Sequence, residues 1–554
     1  MKQEKEINVK QYKFFSLGFT LVELLAVIVI LAIVLIIAVP GVLSIINKTK
    51  DNALDRQLDM IKEASRLYVT SDNDVTWVGQ DSKTTTVVLD TLKAKGYLDK
   101  KLVDPKTKKE ITCAKTVITR TGSKYDYDVI LCDQVNGSPR LSSNMIPIVW
   151  NGSTWVKADY TNQDNNWYDY ENQQWANMAT VTESTREAYK KATIGSEVKM
   201  DDINTMFVWI PRFKYKLFNV DGTVSPVGNS NMAGDYLIDV QLEDTSTSKS
   251  TGTQNGQWLT HPAFTFGGQE LEGFWMAKFE TGYKDATTTA EAEVNTIDPS
   301  KIIVKPGVYS WRGIQTVNMY KNAQGVGESG NLYGFTRNED PHLTKNMEWG
   351  AMTYLTYSKY GKAGNTNYTG VEKQVRSNNS TMYLTGCGAD TQDAVVTSTC
   401  NVYTTVNGQA ASTTGNISGV YDTAGGAWDA VFTVIKHQNG VDYTPGRTGI
   451  PEDLLTTLAK GQKYIDVYEY KDTWVDRSRG HLGDATKEMG PFGIDTSNDR
   501  SSWYQDYSRF VGQVTTMMYR GGSQANDPTG LGTTAFYLWD GHAIGNGTFR
   551  IMLV

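Results

Sequence analysis

The sequence contains few of the residues that usually build metal sites and catalytic centres. Its 554 residues include five histidines and four cysteines. No histidine lies near a pair of cysteines, so the ligand spacing of a zinc site is missing. The sequence also lacks the G-x-S-x-G pattern of many hydrolases and the P-loop of nucleotide-binding enzymes. These absences argue against a zinc protein and against both enzyme classes.

Basic residues are also too few to dominate the surface. There are 54 lysines and arginines against 61 acidic residues, which gives a net charge of −7. This balance disfavours nucleic acid as a partner. Aromatic residues, by contrast, are abundant, with 14 tryptophans and 30 tyrosines. Such rings either fill the core of a β-rich domain or form a binding surface, and composition leaves both interpretations open.

The four cysteines form two pairs that are close in sequence. Cys113 and Cys132 are 19 residues apart, and Cys387 and Cys400 are 13 residues apart. If the chain is exported, we expect each pair to form a disulfide across a short loop, worth roughly 3 kcal/mol.

The N-terminal sequence joins a basic segment to a long apolar one. Residues 1–18 contain four lysines and two glutamates, and residues 19–39 contain a single charge, Glu23. A helix over residues 19–39 would be about 30 Å long, enough to cross a bilayer. The preceding lysines favour a cytoplasmic N-terminus, which places the rest of the chain outside. A carboxylate at the position of Glu23 is costly unless it is paired.

The segment LGFTLVE at 17–23 and the apolar run to Pro40 resemble the processing site and N-terminal helix of type IV pilins and pseudopilins. The resemblance implies cleavage by a prepilin peptidase between Gly18 and Phe19, and N-methylation of Phe19. It implies that Glu23 pairs with the new amino group on a neighbouring pilin subunit. It also implies a single-pass protein of the cytoplasmic membrane that moves into an extracellular filament.

The rest of the chain changes in composition several times, as expected at this length. An apolar stripe with helical spacing continues after Pro40 and includes Leu58, Ile61, Ala64 and Leu67. The predicted organisation is a leader at 1–18, a pilin helix at 19–70, a small head at 71–135, an aromatic-rich connector at 136–200 and a large domain at 201–554.

The head and the connector have different local signals. For the head we predict a helix near Thr84–Lys95 and strands near Glu110–Cys113, Lys115–Thr121 and Tyr125–Cys132, with a turn at 122–123. Its GYL…DP loop resembles small pilin heads of Gram-positive bacteria, which implies that origin. The connector carries many rings between turn residues. It is either a hairpin linker that packs its own rings or a surface on which sugars stack.

The large domain carries the segments GVYDTAGGAWD at 419–429, RGGS at 520–523 and TFR at 548–550. Their order resembles the formylglycine-generating-enzyme-like (sulfatase-modifying-factor) domain, a variant of the C-type lectin fold. The oxidases of that family place reactive cysteines shortly after RGGS, whereas this chain has no cysteine after Cys400. Without a thiolate we expect no enzyme activity of that kind. The scaffold is then expected to display a binding surface.

Two sets of residues are candidates for that surface. In lectin-like folds the binding face lies around the RGGS and TFR segments, so we predict ligand contacts from Tyr504, Tyr519, Tyr537, Trp539, Asp540 and His542. The polar insertion at 361–414, with Cys387 and Cys400, is either a binding lobe or a tolerated loop. We expect no metal or other cofactor, although Asn338-Glu339-Asp340 and Asp422 carry oxygen atoms of the kind that bind calcium.

The sequence therefore predicts an α+β protein. A long N-terminal transmembrane and amphipathic helix would lie on a small β-meander pilin head, followed by a large mixed α+β, C-type-lectin-like domain. The predicted function is that of a minor or tip type IV pilin-like subunit that displays a non-catalytic domain for adhesion to a glycan or a surface protein. The alternative is a pseudopilin of a type II secretion or DNA-uptake machine.

Overall fold

The computed structural model divides the chain into two compact units, Met1–Leu131 and Cys132–Val554. The described residues are 53, 56–71, 83–98, 101–103, 111, 114–131, 138–142, 144–162, 165–220, 238–245, 248–392, 394–436, 443–470, 479–489, 502–512, 514–526 and 530–554.

The first unit is a three-stranded antiparallel sheet with short helices. Its elements are α1 at residues 56–71, β1 Lys83–Val88, α2 Leu89–Ala94, β2 Ala114–Thr121 and β3 Lys124–Leu131. The strand order is β1-β2-β3. The predicted hairpin is confirmed, because β2 and β3 pair through a turn at 122–123. The core contains Ile61, Leu92, Leu102 and Ile118, all fully buried.

Two local predictions in this unit are wrong. The helix predicted from Thr84 begins only at Leu89, because the preceding residues form β1. Residues 84–88 are all β-branched, and such side chains favour a strand over a helix. The second wrong prediction is the place of Leu67 in the apolar stripe of α1. Leu67 is 48% exposed, and Tyr68 is buried instead. Tyr68 follows Ile61 and Ala64 at the i+7 and i+4 positions, which places it on their face.

The predicted fold class is also wrong. The described residues form mostly sheets, and the longest helix of the second unit, in its described part, has 11 residues. None of the helices in the described part of the chain combines the length and apolar composition needed to span a membrane. The short strands follow from apolar runs that glycine, asparagine and aspartate turns interrupt. The helix predicted for residues 19–39 lies outside the described residues.

The second unit contains most of the strands. They are β4 Ile146–Trp150, β5 Trp155–Lys157, β6 Asn177–Val181, β7 Ile203–Pro211, β8 Phe213–Lys216, β9 Val240–Leu242, β10 Trp258–Thr260, β11 Thr265–Phe266, β12 Gln269–Glu270, β13 Gly273–Ala277, β14 Gly282–Tyr283, β15 Ile302–Ile303, β16 His342–Leu343, β17 Cys387–Gly388, β18 Asn401–Val402, β19 Trp428–Val431, β20 Thr433–Lys436, β21 Tyr443–Thr444, β22 Asp466–Glu469, β23 Met517–Gly521, β24 Gly532–Trp539, β25 Gly547–Phe549 and β26 Ile551–Leu553. The helices are α3 Glu183–Lys191, α4 Thr316–Gly325, α5 Asn346–Thr356, α6 Val406–Gln409 and α7 Glu452–Gly461.

Two sheets position the candidate sites. The central sheet has seven strands in the order β16-β26-β13-β7-β6-β4-β5, and a second sheet has four in the order β24-β23-β19-β25. Strand β26 pairs with both β13 and β16, so residues near 552 join the central sheet between two earlier strands. Residues predicted as a connector supply β4, β5 and β6 to the central sheet. They are therefore part of this domain's core.

Candidate binding site

The insertion at 361–414 is held by one disulfide. Cys387 and Cys400 are bonded, with their Cα atoms 5.0 Å apart, as the sequence predicted. The pair lies where β17 meets β18. Val395 in the enclosed loop is 75% exposed, so the loop presents an apolar side chain to solvent. Cys113 and Cys132 lie outside the described residues, as do Gly18, Phe19 and Glu23.

The four-stranded sheet gathers three of the six predicted ligand residues, Tyr519, Tyr537 and Trp539, on one face. Tyr519 of β23 pairs with Tyr537 of β24, so their side chains point to the same side. The Tyr519 ring stacks between two tryptophans, 4.2 Å from Trp539 and 6.0 Å from Trp428 between ring centroids. The Tyr537 ring lies 5.7 Å from Trp428. The sequence grouped Tyr519, Tyr537 and Trp539 correctly.

Burial limits what these rings can contact. Tyr519 is 3% exposed and Trp428 and Trp539 are each 5% exposed, so they pack on one another and not on a ligand. Tyr504 lies apart, with its ring 5.7 Å from that of Tyr357. The accessible part of the face is its edge, which includes the partly exposed Tyr537.

We call this edge the C-terminal rim and define it as Tyr507, Arg509, Tyr537, Asp540 and His542. The Tyr507 ring is 5.9 Å from the Tyr537 ring. Arg509 Nη1 donates a hydrogen bond of 2.6 Å to the Tyr537 hydroxyl. The rim therefore places a guanidinium beside partly exposed rings, an arrangement suited to polar ligands with a flat apolar side.

The acidic end of the rim is formed by Asp540. Its Oδ1 atom accepts hydrogen bonds from the His542 backbone N–H, at 3.1 Å, and from the His542 ring. Arg447 Nε lies 3.5 Å from the other carboxylate oxygen. Partial burial raises the pKa of Asp540, but the hydrogen bonds and charge of His542 outweigh it and hold that pKa below its ordinary value. The carboxylate is thus charged and oriented.

A cluster of buried charges lies in the same unit. Glu280 is fully buried and accepts a 2.9 Å hydrogen bond from the Ala427 N–H and another from Ser310. Burial raises its pKa well above the ordinary value, and the charges of Asp422 and Asp429 raise it further. Burial also raises the pKa of Asp429 to about 7, although nearby Arg550 opposes this. Glu280, Asp422 and Asp429 are each at most 1% exposed, so their carboxyl groups contact protein atoms.

Two of the residues whose oxygen atoms are of the kind that bind calcium, Asp340 and Asp422, are engaged in other contacts. Asp340 accepts a 2.7 Å hydrogen bond from the Tyr464 hydroxyl and forms an ion pair with Lys463. Asp422 is buried and accepts 2.9 Å bonds from Asn378 Nδ2 and the Gly386 N–H. Within the described ranges, no group of three or more histidine, cysteine, aspartate or glutamate side chains is arranged to hold a metal ion.

Sequence reasoning did not include Arg509 in the site. It lies 28 residues before Tyr537, and no local pattern joins the two.

A separate open depression of about 690 Å³ is lined by Lys249, Asp466, His481 and Lys487 among others, and none of the rim residues lines it. Its mixed charges favour no single ligand class.

No protein-family model matches the chain, and no curated protein matches it either.

Proposed function

We propose that the chain is a minor or tip subunit of a type IV pilus-like filament that displays residues 132–554 as a non-catalytic adhesive domain. The partners in this proposal are a prepilin peptidase, other pilin subunits, the membrane before assembly, and a glycan or a protein of another surface. The observation that carries the adhesive part is the C-terminal rim, where Arg509 and Asp540 lie at the edge of a packed ring cluster.

The assembly part of the proposal rests on the sequence of residues 17–23. Cleavage after Gly18 would leave Glu23 as the fifth residue of the mature chain, within an apolar segment. A carboxylate there is tolerated if a positive group of a neighbouring subunit neutralises it. Glu23 therefore favours a filament in which the N-terminal segments of several copies pack together. The same motif is compatible with a pseudopilin, which is the alternative.

The size of the second unit favours a rare or terminal position. A domain of this size on every subunit would crowd a filament that packs through its N-terminal segments. A subunit used rarely, or only at the tip, avoids that crowding. Immunogold labelling at the tip or at sparse points would support this placement, and dense labelling along the whole filament would contradict it.

The processing step is tested with Gly18→Ala in cells that contain a prepilin peptidase. We expect the unaltered chain to lose residues 1–18 and the variant to keep them, as read by intact mass. A matched control is Gly41→Ala, which lies beyond the apolar run and should be processed normally. Equal processing of all three chains would overturn the pilin assignment.

The adhesive step is tested with the full-length chain in detergent on an array of glycans and matrix proteins. We expect binding to one ligand class, and we expect Arg509→Ala to weaken it by about tenfold. Arg337→Ala is the control, because that arginine is exposed and pairs with the exposed Glu328 away from the rim residues. DNA binding with a steep salt dependence, or equal binding by both variants, would contradict the proposal.

A further inference from the structure

A small cavity lies beside strands β4, β5 and β6 and is separate from the C-terminal rim. Its volume is about 150 Å³. We call it the tryptophan pocket, because Trp150, Trp155, Trp167 and Trp175 all line it. Drug-sized ligands occupy roughly 300–1,000 Å³, so this pocket has room for about one ring.

The sheet register brings the pocket residues together. Trp150 of β4 pairs with Trp155 of β5, and Ile148 of β4 pairs with Asn177 of β6. Positions 148 and 150 lie on the same face of β4. The side chains of Ile148, Trp150, Trp155 and Asn177 therefore share one side of the sheet. The rings of Trp150 and Trp155 meet edge to face, with centroids 5.6 Å apart.

Hydrogen bonds fix three of the four indoles before any ligand arrives. Trp155 Nε1 donates to the Tyr403 hydroxyl at 3.2 Å, and Trp167 Nε1 donates to the Asn177 carbonyl at 2.8 Å. Trp175 Nε1 donates to the Tyr360 carbonyl at 2.7 Å. Since these N–H groups are committed, the rings offer apolar faces and edges to the pocket, and ordering them on binding costs little.

The opposite wall, at residues 416–418, is held just as firmly. Buried Lys278 donates hydrogen bonds of 2.8 and 2.7 Å to the carbonyls of Ile417 and Gly419. Ser418 Oγ accepts a 2.9 Å hydrogen bond from the Trp175 backbone N–H. The pocket is therefore a built feature of the core with a stable shape.

The chemistry of the walls points to a neutral ligand. The described residues that line the pocket are aromatic, aliphatic, amide or hydroxyl-bearing, and none of them is acidic or basic. A charged ligand would lose its water without gaining a counter-charge, which is unfavourable. Asn172 and Gln174 lie at the more exposed part of the lining and add amide groups at the mouth.

One buried atom is left without a donor. Asn177 is 2% exposed, and its Nδ2 donates to the Trp175 and Ser418 carbonyls at 2.9 and 2.8 Å. These two bonds fix the amide orientation, so Oδ1 is the remaining acceptor. It accepts no hydrogen bond from the described residues. A buried acceptor is normally satisfied, so a hydroxyl from a bound molecule would complete the site.

We propose that the tryptophan pocket binds one ring of a neutral sugar. A sugar ring has apolar C–H faces that stack on an indole, and the partly exposed Trp150 offers one at the mouth. Its hydroxyls supply the donor that Asn177 Oδ1 lacks. The inference goes beyond the proposed function, because neither processing at Gly18 nor binding at the C-terminal rim requires this pocket.

The test is a titration of sugars into the full-length chain in detergent. Binding is monitored by tryptophan fluorescence and by isothermal titration calorimetry. The probes are glucose, galactose, mannose, N-acetylglucosamine and N-acetylgalactosamine, with a proline-rich peptide and glucuronic acid for comparison. We expect at least one neutral sugar to bind in the millimolar range and glucuronic acid to bind more weakly. Binding of the peptide alone, or of no sugar, would overturn the proposal, since water would then suffice in the pocket.

Variants locate the binding site. We expect Trp150→Leu to weaken sugar binding by about tenfold, since a stacking surface is lost. Trp258→Leu is the matched control, because Trp258 is also partly exposed in the same unit but lies in β10 against Lys214 and Lys216. Asn172→Ala, at an exposed position of the mouth, is a second test that leaves the core intact. Equal affinity of all variants would contradict the assignment, whatever the result for filament assembly.

Discussion

Arg550 and Asp429 form an ion pair from which solvent is excluded. Arg550 Nε lies 3.0 Å from Asp429 Oδ2, and the two side chains are 0% and 2% exposed. The guanidinium also donates to the carbonyls of Asp422, at 2.8 Å, and Ala277, at 3.3 Å. One side chain thus joins β13, the turn before β19 and the segment between β25 and β26.

Removing this arginine should destabilise the second unit strongly. We expect Arg550→Met to lower the free energy of unfolding by about 3–5 kcal/mol, because it leaves a buried carboxyl and two carbonyls without their donor. Arg337→Met is the control, since its pair with Glu328 is exposed and should cost less than about 1 kcal/mol. Denaturant titration followed by fluorescence measures both. Similar small losses would show that the buried pair contributes little.

Gly426 should tolerate no side chain. Its φ is +68°, and a methyl group built on it would overlap Glu280 Oε1. Gly152 is a matched control, because its φ is +99° and nothing lies within 4 Å of the same position. We expect Gly152→Ala to cost about 1 kcal/mol from backbone strain alone, and Gly426→Ala to cost about 1–3 kcal/mol more. Equal melting temperatures for the two variants would refute the predicted clash.

His261 should make the protein sensitive to acid. Its Nδ1 accepts a 3.2 Å hydrogen bond from the Ala263 N–H, so Nε2 carries the proton and donates to the Gly483 carbonyl at 2.9 Å. Burial lowers the pKa of His261 to about 3, against an ordinary value of 6.5. Between these values the unfolded chain binds the extra proton and the folded chain does not. Stability from this residue is therefore full above pH 6.5 and falls as the pH drops towards 3.

The sign of this effect can be isolated with His261→Gln, whose amide does not titrate. The unaltered protein should lose up to about 1.4 kcal/mol of unfolding free energy per pH unit relative to the variant as the pH falls from 6.5. Asp429, whose pKa is raised to about 7, acts in the opposite direction and cancels in the comparison. Parallel stability curves for the two proteins between pH 6 and 4 would exclude His261 as the cause.

The Cys387–Cys400 disulfide should contribute measurable stability. It closes a loop of sequence separation 13, for which chain entropy predicts about 3 kcal/mol. We expect the double variant Cys387→Ala, Cys400→Ala to lose up to that amount in denaturant titration. Reductant should remove this contribution from the unaltered protein, whereas the double variant has no Cys387–Cys400 bond to lose. A variant as stable as the oxidised protein would show that the loop is ordered without its bond.

Local sequence signals predicted local structure well and long-range structure poorly. The β2–β3 hairpin and the Cys387–Cys400 bond each depend on residues that are close in sequence. The helix predicted at residues 84–88 is wrong, because the β-branched side chains of this segment favour a strand. A hydrophobic pattern read over a short stretch of sequence does not include that preference.

The candidate sites depend on pairings that no single stretch of sequence encodes. Arg509 reaches Tyr537 from a segment outside the strands, and the tryptophan pocket joins residues near 150 to residues near 417. Such contacts follow from sheet order, which a single sequence does not reveal. The lectin-like resemblance places Tyr504 among the predicted ligand residues, yet its ring contacts that of Tyr357, apart from the other rings.

Strand β26 is flanked on both sides in the central sheet, although its neighbours are made much earlier. Met552 pairs with Met276 and with His342. During synthesis, β13 therefore keeps an open edge until β26 has left the ribosome. Contacts this distant in sequence slow folding. The central sheet of a nascent chain is therefore completed only after its last strand has been synthesised, so one edge of β13 is exposed until synthesis ends.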